Sequence, residues 1–249
     1  MRLEGKRCIV TGAASGFGRG IAKRFVAEGA RVAVLDLNAE GVEAVARNLG
    51  DGAVAIPCDV TKGDEVEAAV ARAEDAFDGL DVVVNNAGWS NRNGPLLDTD
   101  EATIRKLYDV NVMSIFHMTH AVVPRWRAGA GGVMLNVGST AGIRPRPGLT
   151  WYNSTKGAAN LLTKSLAVEL APDAIRVNGI APVMGATALL ENFMGLPDTP
   201  ENRAKFIATI PLGRLSEASD VAMAAVFLAS DEAAFLTGVI LPVDGGRTV

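Results

Sequence analysis

Short apolar runs alternate with amphipathic segments from one end of this chain to the other. Residues 7–11, 31–35, 53–58, 81–85, 132–137, 175–180 and 239–243 are rich in Val, Ile and Ala and have the length of strands. Between them, residues 16–28, 39–49, 62–77, about 100–127, 152–170 and 217–228 carry helical periodicity. Strands that read as unbroken apolar runs are buried on both faces, and strands that alternate with helices form a parallel sheet covered on each side. Right-handed crossovers bring the carboxyl ends of all the strands to one edge, where ligands sit. The pattern predicts a single α/β domain over 1–249, a doubly wound parallel sheet of about seven strands. The irregular stretch at about 184–211, broken by Pro and Gly, is expected to cover the ligand edge as a lid.

Charge and composition exclude several classes. The 249 residues are 49% hydrophobic and carry a net charge of −4, with no basic run, so neither nucleic acid nor an anionic membrane surface is expected as a partner. No apolar stretch reaches the ~20 residues of a membrane-spanning helix, and the N-terminus lacks a signal-peptide core. Cys8 and Cys58 fall inside strand-like runs and read as buried small hydrophobes in a reducing compartment. A cytoplasmic location follows as the expectation. His117 and His120, three apart with no third ligand in view, read as ordinary helix residues, and no metal is expected.

Chemistry begins at Thr11-Gly12-Ala13-Ala14-Ser15-Gly16-Phe17-Gly18, between the first strand and the first helix. Glycines there let the backbone turn sharply and approach a pyrophosphate, which the helix N-terminus attracts through free N–H groups and its dipole. Gly12, Ser15, Gly16, Phe17 and Gly18 are the expected contacts. Asp36 closes the next strand and can accept both ribose hydroxyls of adenosine, while its charge would repel a 2′-phosphate. Neither Ser15 nor Leu37 is basic, so NAD is expected over NADP. The competing role for Asp36, capping the next helix, falls more naturally to Asn38. Asp59, followed by Val60, could accept from the adenine amino group or cap the helix at Lys62. Asn86, Ala87 and Gly88, after Asn85, are expected against the cofactor edge or bonding the strand ends.

Tyr152 and Lys156 open an Ala-rich helix, and four residues apart they share one face. A fixed ammonium favours the phenolate, so Tyr152 is expected to titrate below its usual value of about 10 and to act as an acid/base group.

Taken together, Thr-Gly-x-x-x-Gly-x-Gly, Asn-Asn-Ala-Gly and Tyr-x-x-x-Lys, in this order over essentially the whole chain, resemble the short-chain dehydrogenase/reductase family. The resemblance implies a Rossmann-type fold and a tetrad of Asn111, Ser139, Tyr152 and Lys156. In it Tyr152 exchanges the proton with substrate and Ser139 holds the substrate oxygen. Lys156 binds the nicotinamide ribose and lowers the phenol pKa, and Asn111 holds a water. It further implies Pro182, Val183 and Thr187 at the nicotinamide end. Val183 stands where the family pattern has Gly and should restrict φ. The implied activity is NAD-dependent interconversion of a primary or secondary alcohol and its aldehyde or ketone, by a homotetramer. A sugar or polyol dehydrogenase and a 3-oxoacyl carrier-protein reductase share the skeleton. A non-enzymatic NAD-binding scaffold would not need the tetrad.

For the substrate, Trp89, Arg92, Arg144, Trp151 and Phe193 are the candidate contacts. The segments around Arg92, Arg144-Pro145, 147–152 and 193–200 resemble one branch of the family and suggest an aromatic or polar alcohol or aldehyde. Guanidinium groups suit planar oxyanions, although Arg144 and Arg146 read more simply as solvated or as subunit contacts. Ile115, Met118 and Leu166 are expected to face outward for self-association, and residues 241–247 are placed to reach a neighbouring subunit.

Overall fold

The structure, a computed structural model, describes residues 1–187 and 189–249. Strands β1 (Arg7–Thr11), β2 (Arg31–Asp36), β3 (Ala53–Pro57), β4 (Val82–Asn85), β5 (Gly132–Val137), β6 (Ile175–Pro182) and β7 (Ile240–Val243) form one sheet. Their order is β3-β2-β1-β4-β5-β6-β7, and every pairing is parallel. The chain winds outward from β1 in both directions, so the sheet's switch point, and its ligand crevice, lies between the carboxyl ends of β1 and β4.

Successive strand residues explain the two layers. Cys8, Val10, Val82 and Val84 face helices α1 (Gly16–Ala27), α2 (Ala39–Leu49) and α9 (Ala218–Ala229) in one core. Ile9, Val83 and Met134 face α3 (Gly63–Phe77), α5 (Ser114–Ala128) and α6 (Thr150–Leu170) in the other. Both faces of the central strands leave water, which is why those strands lack a polar alternation, whereas the edge strands β3 and β7 stay partly exposed. Cys8 and Cys58 are free and buried. Burial pushes both thiols up, Cys58 to about 12, which leaves them protonated and inert.

Residues 101–128 are helical throughout, with a π-turn over Asp109–Met113 inserted between α4 (Glu101–Tyr108) and α5. One expectation is corrected. Ile115 and Met118 do not face outward but lie 4% and 1% exposed. The apolar residues that α5, α6 and the π-turn leave exposed are instead Met113, Phe116, Leu161 and Val168.

The covering stretch holds α7 (Leu190–Met194) and α8 (Pro200–Ile207). It has a small core of its own in which Val183, Met184, Leu190, Met194, Ile210 and Leu215 pack with Phe193 and Phe206. No helix among the described residues is long and apolar enough to cross a membrane.

Candidate active site

The glycine turn is held against the end of β4 by one threonine. Thr11 Oγ1 accepts from the Asn86 and Ala87 amides, both at 3.0 Å, and Asn86 Nδ2 donates to the Thr11 carbonyl at 2.8 Å. Gly12 has φ +64°, and a Cβ there would lie 2.8 Å from Ala87 Cα. A Cβ on Gly18 would run into the Gly12 carbonyl oxygen and the Asn86 amide, so Gly18 shapes the turn from behind. Gly18→Ala should therefore cost about 1–3 kcal/mol through overpacking. Thermal unfolding would test this, and an unchanged melting temperature would mean that the turn can open. Ser15 stands at the N-cap of α1 without a side-chain capping bond, and the first turn holds no acidic residue. The amides of that turn are left for an anion.

Asp36 closes β2 beside this turn, where it accepts from the Ala14 amide at 3.1 Å and the Asn38 amide at 3.0 Å. Asn38, not Asp36, caps α2, by accepting from Gly41. Asp36 thus keeps its place on the wall of a cleft of about 310 Å³ that also holds Gly12, Ser15, Gly16, Phe17 and Asn86 to Gly88.

Gly18, Leu37, Asp59 and Val60 are outside that lining. Leu37 is 74% exposed. Asp59 accepts from the Thr61 amide and hydroxyl at 3.0 and 2.7 Å, which closes a local turn before α3. The Val60 carbonyl pairs with His117 Nδ1 at 3.1 Å, which gives that histidine a structural partner. Among the described residues no three His, Cys, Asp or Glu side chains gather as metal ligands.

Tyr152 and Lys156 sit one turn apart on α6, 6% and 5% exposed, and line the same cleft with Ser139. Lys156 Nζ donates to the Val137 carbonyl at 2.9 Å and stands 6.0 Å from the centroid of the Tyr152 ring. Ser139 Oγ accepts from the Ala141 amide at 3.0 Å, and the same hydroxyl favours the charged form of the phenol.

Electrostatics here correct the expectation of a lowered phenol pKa. Burial pushes Tyr152 up to about 12, against the lowering effects of the Ser139 bond and the Arg146 charge. The same burial pulls Lys156 down to about 8. Taking either charged form out of water outweighs the neighbours that favour it, and the cation felt by the phenol is Arg146.

Asn111, at the centre of the π-turn, is 2% exposed. Its Oδ1 accepts from the Trp89 amide at 2.9 Å, and its Nδ2 donates to the Trp89 carbonyl at 2.9 Å and to Thr155 Oγ1 at 3.1 Å. The extra residue of the turn aims the amide at both partners. With its side chain occupied in this way, Asn111 fixes the loop after β4 to the helix of Tyr152.

Pro182, Val183 and Thr187 also line the cleft. Val183 is unstrained: Asp78 and Ala174 are the non-glycine residues of positive φ among those described. Its amide donates to the Val243 carbonyl at 3.1 Å, and its carbonyl accepts from Ser216 Oγ at 3.1 Å.

Of the substrate candidates, Trp89, Arg144 and Phe193 line the cleft. Phe193 meets the Tyr152 ring edge-on, with centroids 5.2 Å apart. Arg92 is exposed and donates to the Gly195 carbonyl at 3.1 Å, which ties the loop after β4 to the lid. Trp151 packs with Leu107, Leu149 and Tyr152 behind the cleft. Arg247 was missed as a cleft residue. Instead of extending away, the last residues fold back, and Arg144 Nη1 donates to the Arg247 carbonyl at 2.8 Å. No periodicity marks such a return.

Comparison with known proteins agrees with this geometry. A family model described as enoyl-(acyl carrier protein) reductase matches residues 12–248. The 4-formylbenzenesulfonate dehydrogenase of Comamonas testosteroni is 47% identical over 252 residues, covering 100% of both chains. The chain belongs to the short-chain dehydrogenase/reductase family. Within that family, the 7alpha-hydroxysteroid dehydrogenase of Escherichia coli (strain K12) is 38% identical over 99% of this chain and 95% of that protein. Among solved structures, the 3-ketoacyl-(acyl-carrier-protein) reductase of Brucella melitensis complexed with NADH superposes with a TM-score of 0.94. It is 44% identical and covers 99% of this chain and 100% of its own.

Proposed function

We propose that the protein is an NAD-dependent oxidoreductase that interconverts a primary or secondary alcohol and its aldehyde or ketone. The observation that carries this reading is the meeting of Ser139, Tyr152 and Lys156 with the glycine turn and Asp36 in one cleft. The residues suit a dinucleotide: Gly12 has no room for a Cβ, the first turn of α1 has open amides, and a carboxylate stands at the end of β2. When bound, the nicotinamide accepts or supplies the hydride.

In this reading Tyr152 gives the proton to the carbonyl oxygen or takes it from the alcohol, while Ser139 donates a hydrogen bond to that oxygen. Lys156, anchored by the Val137 carbonyl, holds the nicotinamide ribose. Asn111 positions Trp89 and α6, and Thr187, Pro182 and Val183 border the nicotinamide end. A phenol pushed up to about 12 is protonated across the neutral range. Reduction therefore finds its acid ready, whereas oxidation draws on the scarce phenolate and should speed up as the pH rises.

Comamonas testosteroni and Brucella melitensis supply relatives whose names include an aryl aldehyde dehydrogenase and a 3-ketoacyl reductase. A sugar or polyol substrate suits this cleft less well, because Trp89, Leu149, Phe193 and Phe206 give it an apolar wall. The same reading places the protein in the cytoplasm, in keeping with two free buried thiols. It also pairs copies of the chain, into a tetramer, through the exposed apolar residues of α5 and α6.

A turnover screen with both cofactors over aromatic alcohols and aldehydes, polyols and 3-oxoacyl thioesters tests the proposal. NAD(H) should be preferred by about 100-fold, the equivalent of about 3 kcal/mol of like-charge repulsion. Asp36→Ser should bring the two cofactors to within about tenfold of each other. A preference for NADPH in the unaltered protein would overturn the role of Asp36.

A further inference from the structure

Charge in the cleft is divided between its ends. Asp36 stands at the glycine turn, and Arg144, Arg146 and Arg247 stand at the other end with Tyr152. Several arginines elsewhere are neutralised or bonded more than once. Arg7 pairs with Asp81, Arg125 with Glu67 and Glu74, and Arg214 with Asp220. Arg176 donates to the carbonyls of Leu228, Leu236 and Ser230.

Arg146 differs. It is half-buried, and its guanidinium has one long bond, to the Phe193 carbonyl at 3.4 Å, and the Phe206 ring 4.9 Å beneath it. Burial and the nearby Arg247 charge both hold its pKa below the usual arginine value. Two cations facing each other in a partly dry cleft form a repulsive pair that an oxyanion would relieve.

The acid closest in sequence is already occupied. Asp244 accepts from the Gly246 amide at 2.9 Å, the Thr248 amide at 2.9 Å and the Thr248 hydroxyl at 2.6 Å. Those bonds shape the C-terminal turn, and the Arg144 bond to the Arg247 carbonyl clasps it to the cleft. At the other end of the Arg146 backbone, Asn153 Nδ2 donates to its carbonyl at 2.8 Å. The arginine is thereby fixed to the first turn of the helix that bears Tyr152. Leu149, Phe193 and Phe206 line the same cleft, Phe193 against the Tyr152 ring and Phe206 beneath Arg146.

We infer that Arg146 and Arg247 form an anion-recognition site at the substrate end, with Arg144 holding the C-terminal turn in place. The substrate is then a flat, apolar alcohol or aldehyde that bears a carboxylate or sulfonate away from its reacting carbon. This assignment rests on the alcohol–carbonyl reading above for the reaction, but not for the binding of the anion.

Two measurements on the full-length protein separate them. First, kcat/KM with NADH is compared for 4-formylbenzoate and its uncharged methyl ester. The carboxylate should be preferred by about tenfold or more, and Arg146→Gln and Arg247→Gln should each reduce that preference by about tenfold, mainly through KM. Second, calorimetry of benzenesulfonate on the NAD-loaded protein should show binding that either variant weakens by about tenfold. Arg247→Gln, in a half-exposed side chain, guards against misreading a folding defect in Arg146→Gln. A wild-type preference near one, or equal losses on both aldehydes, would overturn the inference, as would sulfonate binding unchanged in both variants. Sulfonate binding that the variants weaken, with neither aldehyde turned over, would uphold the anion site and bring down the reaction instead.

Discussion

Tyr152→Phe should lower kcat by about 10²–10⁴-fold, the usual contribution of a positioned acid or base. The substitution removes one oxygen and leaves a ring that still packs against Phe193 and fills the same small core as Leu107, Ala141 and Leu149. Binding of NADH, followed by its fluorescence, should stay within a few-fold, because the glycine turn and Asp36 are untouched. Turnover within a few-fold of wild type would show that some other group moves the proton. In the unaltered protein, the oxidative rate should climb with pH toward the phenol's value of about 12, as far as the fold survives. Reduction should be flat or fall over the same range.

Lys156→Met should separate stability from activity. The buried ammonium titrates near 8 in the folded chain, against 10.5 for an unperturbed lysine. In the unfolded chain the side chain is therefore charged up to about 10.5, while in the folded chain it stays neutral until the pH falls to about 8. Stability from this group is fully present above 10.5 and is lost as the pH falls through 8, which amounts to about 2–4 kcal/mol at neutral pH. Methionine fills similar volume without the charge, although the Val137 carbonyl loses its donor, which costs about 1 kcal/mol or more. The cofactor-free variant should thus gain about 1–2 kcal/mol at pH 6.5, a rise in melting temperature of about 2–8 °C, and the gain should vanish near pH 10. Turnover should fall by at least about 10²-fold for want of the cation. A variant that melts no higher than wild type at pH 6.5 would show that the ammonium is well accommodated.

Legibility in the sequence followed how local the cause was. The strands were readable because burial on both faces of the central strands leaves only apolar residues, and all seven begin at the residue that the apolar pattern indicates or the one after it. The glycine turn was readable because Gly12 and Gly18 answer to steric demands that few other residues meet. Asn111 was legible as a residue but not as a turn: the π-turn depends on Trp89 and Thr155, which lie far from it in sequence. The direction of the Tyr152 shift was misread for a related reason. Spacing reveals that a lysine is near, but only packing reveals how much water the phenol has lost. Met118 illustrates a third limit, since a helix apolar on several sides does not disclose which side meets the sheet. Arg247 is a fourth, since a chain end shows no periodicity until its carbonyl is seen in the grip of Arg144.

The three hydrogen bonds of Asn111 have a consequence for inheritance. One carboxamide grips the segment that would greet incoming molecules and, through Thr155, the helix that delivers the proton. Loop transplants aimed at changing what such an enzyme accepts can trade residues beyond Ser90, but a graft that shifts the Trp89 backbone would loosen the proton donor as well. Selectivity and chemistry are in this respect a joint trait, so new specificities should accumulate along the lid and the arginine end before they reach Trp89.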